Sequence, residues 1–113
     1  RGAFPGYLHT NWIAASALRM AGGGYAEAAE AVLAALSART PAAWEPSQIA
    51  WALDCLGRAG MPAEHPFALA CLASLPARQR ADGSWASEDG DRFAVTATLG
   101  VIKALRRFGH ARA

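Results

Sequence analysis

The chain has 113 residues, enough for one small domain or a piece of a larger one. Roughly a quarter are alanine and strand-forming Val, Ile and Thr are scarce, a mix that favours helix because alanine loses no side-chain entropy there. A formal net charge of +2, with arginines scattered except in the closing "ALRRFGHAR", argues against a nucleic-acid surface and against an acidic tail.

Five helices are predicted in chain order, giving an all-α fold. The first covers "TNWIAASALRMA", residues 10–21, and the second "YAEAAEAVLAALSA", residues 25–38, where Glu27 and Glu30 near the start suit the helix dipole. The third follows "WEPS", with Pro46 in its first turn and "QIAWALDCLGRA" continuing it. A fourth starts near His65-Pro66 and carries "FALACLASL" until Pro76 kinks or shortens it. The fifth is "RFAVTATLGVIKALRRF", with Asp91 as its expected cap.

Three of these end alike. Leu18 to Gly22, Leu56 to Gly60 and Leu105 to Gly109 each place a glycine where a helix can stop in a left-handed cap. The leucines are 38 and 49 residues apart, with helices two and four between them, so the pattern is a repeat of helix hairpins. Helices one, three and five are apolar around much of their circumference and call for neighbours on all sides, whereas two and four have more polar faces. Two layers of this kind predict an α/α toroid, an α6–α6 barrel, of which residues 1–113 would form about half.

The loop "LPARQRADGSW" lies between an outer helix and the next inner one. Gln79 can use its amide on backbone groups at nearby helix ends, Asp82-Gly83 supplies a tight turn, and Trp85 can fold over the glutamine. The spacing Leu75-x-x-x-Gln79-x-x-x-Gly83-x-Trp85 resembles the glutamine–tryptophan (QW) repeat motif of the terpene cyclase and prenyltransferase superfamily. That superfamily includes squalene–hopene cyclases, bacterial class II diterpene cyclases and protein prenyltransferase β subunits. Ser74 stands where an aromatic residue often precedes the leucine. "EDGDRFAVTATLGVIKALRRFG", "WEPSQIAWALDCLGRAG" and "GAFPGYLHTNWIAASALRMAG" each resemble an inner helix, so the likeness spans essentially the whole chain.

The resemblance implies an isomerase or lyase of isoprenoid biosynthesis that protonates a linear prenyl diphosphate or other polyprenyl substrate and guides the carbocation. The acid of such enzymes is the middle aspartate of Asp-x-Asp-Asp, and no such motif occurs here. "DGDR", residues 89–92, is nearest, but the charge of Arg92 would hold Asp91 ionised, leaving Asp91 a weak candidate acid and a better helix cap. "LDCL", residues 53–56, matches only the first two residues of the Asp-Cys-Thr-Ala-Glu acid motif of oxidosqualene cyclases.

No metal site is expected. Asp54 and Cys55 are adjacent rather than one residue apart, and His9, His65 and His110 share no paired spacing with Cys55 or Cys71. The Asp-rich magnesium motif of class I synthases is missing, and "SEDGD" does not match an EF-hand loop. Both cysteines sit in apolar helical segments and read as small buried thiols of a cytoplasmic protein.

What remains is a wall for a cation, since aromatic faces attract positive charge. Phe4, Tyr7, Trp12, Trp51 and Phe93 are the expected substrate-binding residues, with Trp44 a further aromatic and His9 and Asn11 able to orient a diphosphate or cap helix one. The "GAFPGY" loop is similar to a glycine–aromatic–proline–glycine loop beside the product cavity of related cyclases. The opening residues follow no secretory pattern, and the start at Arg1 without a methionine leads to the expectation of a processed chain or a piece of something longer. Its partners would be the rest of that cyclase and the polyprenyl substrate, with no cofactor in this segment and Mg2+ accompanying the diphosphate in the full enzyme. Two rivals stand beside it. One is a non-catalytic helical-repeat interaction module; the other is a prenyltransferase β-subunit piece, for which zinc binding would be diagnostic.

Overall fold

The computed structural model describes residues 8–38 and 44–109, and among these residues it is all helical. The expected substrate residues Phe4 and Tyr7, the "GAFPGY" loop and His110 lie outside the described residues. Helix α1 runs Leu8–Ala21, α2 Tyr25–Ser37, α3 Pro46–Arg58, α4 Pro66–Ser74 and α5 Ala94–Arg107, with short 3-10 turns at Pro76–Arg78 and Asp91–Phe93. No described helix is long and apolar enough to cross a membrane.

Local chemistry explains the boundaries. Glu45 opens α3 through a capping box: its side chain accepts from the backbone N–H of Gln48, and its own N–H donates to Gln48 Oε1 at 2.9 Å. Pro46 fills the next position, where a missing N–H does no harm. His65 caps α4, its Nδ1 accepting from Phe67 N–H at 3.0 Å. Nε2 therefore carries the ring hydrogen and donates to Glu30 Oε1 on α2 at 2.8 Å. One imidazole thus starts a helix and ties it to its neighbour.

Pro76 shortens α4 rather than kinking it, because the chain turns into the 3-10 segment directly after Leu75. The three predicted glycine caps are present, with φ of +68° at Gly22, +90° at Gly60 and +77° at Gly109. At Gly60 the geometry is a Schellman motif. Met61 N–H reaches back to Leu56 O and Gly60 N–H to Gly57 O, both at 3.0 Å, and a side chain at Gly60 would be strained in that left-handed backbone.

Asp91 does not cap α5. The helix starts from Phe93 with no side-chain cap, and Asp91 opens the 3-10 turn before it. The reason is a partner elsewhere, since Asp91 Oδ1 accepts from Arg80 Nη1 at 3.0 Å.

Helices α1, α3 and α5 lie side by side in that order, α2 packs on α1 and α4, and α4 touches α2 and α3. With α1, α3 and α5 in one row and α2 and α4 against it, the hairpin repeat forms two layers. The core lies between them, built on Trp12, Leu33, Leu53, Leu56, Phe67 and Val101. The expectation that α1, α3 and α5 are covered all round is not met. Ile13, Trp51, Val95 and Leu99 stand exposed, because α2 and α4 pack on α1 and α3 from one side and α5 packs chiefly on α3.

Candidate functional site

A cleft of about 320 Å³ opens between α3 and α5. Its floor is small: Ala50 faces Gly100, and a Cβ added at Gly100 would lie 3.8 Å from that of Ala50. Trp51 rises on one wall and Phe93 on the other, 45% and 42% exposed, so both rings present free surface to the cleft. Asp54 and Lys103 line it further along the two helices, with Ser47 and Asp89 among the remaining lining residues.

Trp51 is rigidly backed. His9 stacks on it with ring centroids 5.1 Å apart and planes 14° from parallel. Trp12 meets it edge-on at 5.6 Å, and Trp44 and Phe67 continue the aromatic column into the core. Such packing removes rotamer freedom from the wall before anything binds. On the opposite side, the Arg92 guanidinium lies 5.0 Å from the Phe93 ring centre. Arg92 is thus engaged with Phe93, while the carboxylate of Asp91 takes Arg80.

The polar groups have distinct partners. Asp54 pairs with Arg58 at 3.3 Å on its own helix and with Arg107 at 3.5 Å across the joint. Its charge is therefore held by two guanidiniums, a structural role. Ser47 donates to the Glu88 carboxylate at 2.7 Å, fastening the loop before α5 to the start of α3. Lys103 has no ion-pair partner among the described residues, which leaves its ammonium available to an anionic group in the cleft.

The sequence-predicted residues divide cleanly. Trp51 and Phe93 meet around one cavity. Trp12 is 0% exposed and offers the cleft no surface; it supports Trp51 from behind. Asn11 is also fully buried. Asp91 is exposed and ion-paired to Arg80, and it does not line the cleft. Ser47, Gly100 and Lys103 escaped the reading of motifs. A signal for Gly100 existed, since it stands five residues before Leu105 just as Trp51 stands five before Leu56.

The glutamine–tryptophan loop works differently from expectation. Gln79 Nε2 donates to Gly83 O at 2.9 Å, closing the loop on itself, and remains exposed rather than covered by Trp85. Gly83 sits at φ +89°, and Arg80 N–H to Ser84 O at 2.7 Å completes the turn. The buried Trp85 reaches the helix end instead: its Nε1–H donates to Leu75 O at 2.8 Å, just past α4. Its backbone N–H donates to Thr98 Oγ1 of α5 at 2.9 Å. One tryptophan thereby satisfies a carbonyl left over by α4 and fixes the position of α5.

Both thiols are free. Burial pushes Cys71 up to about 12. Cys55 is raised as well, first by burial and then by the neighbouring Asp54 charge. At neutral pH both carry their proton and are poor nucleophiles. Among the described residues no group of three His, Cys, Asp or Glu side chains is gathered to hold a metal ion.

Comparison of the chain with family models, with curated proteins and with solved structures finds no match.

Proposed function

We propose that the chain supplies scaffold and part of the substrate cavity of a class II terpene cyclase, a cytoplasmic enzyme that cyclises a linear prenyl diphosphate by protonation. The observation that carries this reading is the Leu75-Gln79-Gly83-Trp85 loop joining an outer helix to an inner one, with α1, α3 and α5 in one layer. The cleft between α3 and α5 supports it. Trp51 and Phe93 offer aromatic faces to a positively charged hydrocarbon, and Lys103 offers a cation to a diphosphate. The catalytic acid belongs to another segment, because Asp91, the candidate in the motif at the start of α5, is held by Arg80. Mg2+ would arrive with the diphosphate.

The test is a titration of the chain with prenyl diphosphates of increasing length, followed by tryptophan emission and by product analysis. Saturable quenching without turnover, lost in Trp51→Ala, is the expected result. A flat titration at every chain length would remove the cavity claim, and turnover by this chain alone would overturn the assignment of the acid elsewhere.

A further inference from the structure

The two joints within the α1–α3–α5 layer repeat one contact. In α1 the residue six before the cap leucine is Trp12, and it touches Trp51, the residue five before the cap leucine of α3. In α3 the residue six before is Ala50, and it faces Gly100, five before the cap leucine of α5. Each helix therefore has a forward position that meets the backward position of the next. Carried one step on, the forward position of α5 is Leu99, and the unmatched backward position is Ile13 of α1.

Among the forward positions, Trp12 and Ala50 are 0% and 5% exposed, whereas Leu99 is 56% exposed; the backward position Ile13 is 44% exposed, close to the 45% of Trp51. Val95 extends the open face of α5, while the equivalent position in α3, Pro46, is buried. Met20 and Ala17 extend the open face of α1.

A polar contact accompanies the α1–α3 joint in this register; Gly57 holds the corresponding place in α3 and has no side chain to repeat it. Arg19, one residue after the cap leucine of α1, donates through Nη2 to the carbonyl of Gly60, the cap glycine of α3, at 3.3 Å. Arg106 occupies that place in α5 and has no ion-pair partner among the described residues. The corresponding acceptor would be the carbonyl of Gly22, the cap glycine of α1.

We infer that two copies of this chain associate head to tail, Leu99 and Val95 on α5 of one copy packing on Ile13 and Ala17 on α1 of the next, with Arg106 on the carbonyl of Gly22. The same chain carries both halves of a joint it already makes twice internally, and that is why a second copy fits better than an unrelated partner. Exposed apolar faces of this kind are interaction surfaces. The interface is heterologous, so it extends a layer or closes a ring. This goes beyond the cyclase reading and stands without it.

Sedimentation of the 113-residue chain over a concentration series tests it, with Leu99→Glu and Ile13→Glu as probes. Wild type should self-associate and each variant should be monomeric. Their mixture should form a one-to-one heterodimer, because the intact α5 of the Ile13 variant meets the intact α1 of the Leu99 variant. Circular dichroism checks that each remains helical, and Val95→Glu with Ala17→Glu serve as a second pair if either does not. A wild type monomeric throughout overturns the inference, including when it binds a different polypeptide. So does a mixture that stays monomeric, or a dimer that survives the Ile13 change, which would mean an α5-on-α5 contact. Prenyl diphosphate binding is scored separately, so failure here leaves the cyclase reading to its own test.

Discussion

The α1–α3 and α3–α5 joints use the same register and reach opposite results. In the first, Trp12 against Trp51 fills the gap with indole, and the aromatic column through Trp44 to Phe67 joins it to the core. In the second, Ala50 against Gly100 leaves a floor of small residues and a cleft of about 320 Å³ above it. A repeat thus fixes where helices meet, and the size of two residues decides whether the meeting is sealed or hollow. The hollow joint needs other fastenings. It has them in Trp85 on Thr98, Ser47 on Glu88 and Asp54 on Arg107.

The largest effect expected is in the sealed joint. Trp12→Ala removes a fully buried ring and should destabilise the chain by about 3–5 kcal/mol. Trp51→Ala, which removes a half-exposed ring, should cost about 1–2 kcal/mol, the lower part of the range for large-to-small changes. Denaturant unfolding followed by circular dichroism gives both values. Equal losses would mean that Trp51 is core, and the distinction between the joints would collapse.

A second pair separates two buried indoles. Trp85 Nε1 has its acceptor in Leu75 O, whereas the buried Nε1 of Trp12 meets none among the described residues. Trp85→Phe leaves a carbonyl unpaired at the end of α4 and should cost about 1–3 kcal/mol beyond the lost volume. Trp12→Phe discards an unpaired buried donor, so part of its volume penalty is offset. The difference between the two variants, measured under one set of conditions, should therefore place Trp85→Phe as the more damaging. The reverse order would show that the clamp is not what fastens α5.

Much of this architecture was legible in the sequence. The three leucine–glycine caps, the proline and histidine starts of α3 and α4, and the division into two layers follow from backbone sterics and apolar spacing. The misreadings concern side chains whose partners lie far off in sequence. Asp91 looked like a cap and Arg92 like its counter-ion, but Arg80, across the turn, holds the carboxylate. Gln79 looked like the group serving a helix end, yet the tryptophan serves it and the glutamine closes its own loop. Half of the candidate site was visible as aromatic residues, Trp51 and Phe93. The other half consists of small and polar residues, Gly100, Ser47 and Lys103, whose importance comes from what packs opposite them.

Glycine substitutions sharpen the contrast within the hollow joint. At Gly100 an added Cβ meets only ordinary contact with Ala50, so Gly100→Ala should raise stability by about 0.5–1 kcal/mol through helix propensity. At Gly57 the same atom would sit 2.4 Å from Arg107 Cδ and 3.3 Å from Phe108 Cε2. Arg107 would have to move and loosen its pairing with Asp54, so Gly57→Ala should lose about 1 kcal/mol. Thermal melts of the two variants should shift in opposite directions. A gain at both would mean that the close approach of α5 to α3 is soft.

The smallest effect belongs to the loop that fastens this joint from outside. Asp82 Oδ1 accepts from Ser84 Oγ at 2.6 Å and from Ser84 N–H at 3.0 Å, and these bonds hold its carboxyl below the ordinary aspartate range. A depressed folded value means that the contribution is complete above about pH 4 and is lost as pH falls through the folded value. The carboxylate is fully exposed, so the change should be local. Acidification should alter the amide resonances of Ser84 and Gly83 below pH 4 while those of the α1–α3 joint hold steady, and Ser84→Ala should move the Asp82 titration upward. Simultaneous loss of both sets of resonances would mean that the loop and the sealed joint unfold as one unit, and that the fastenings of α5 have no independence from the core.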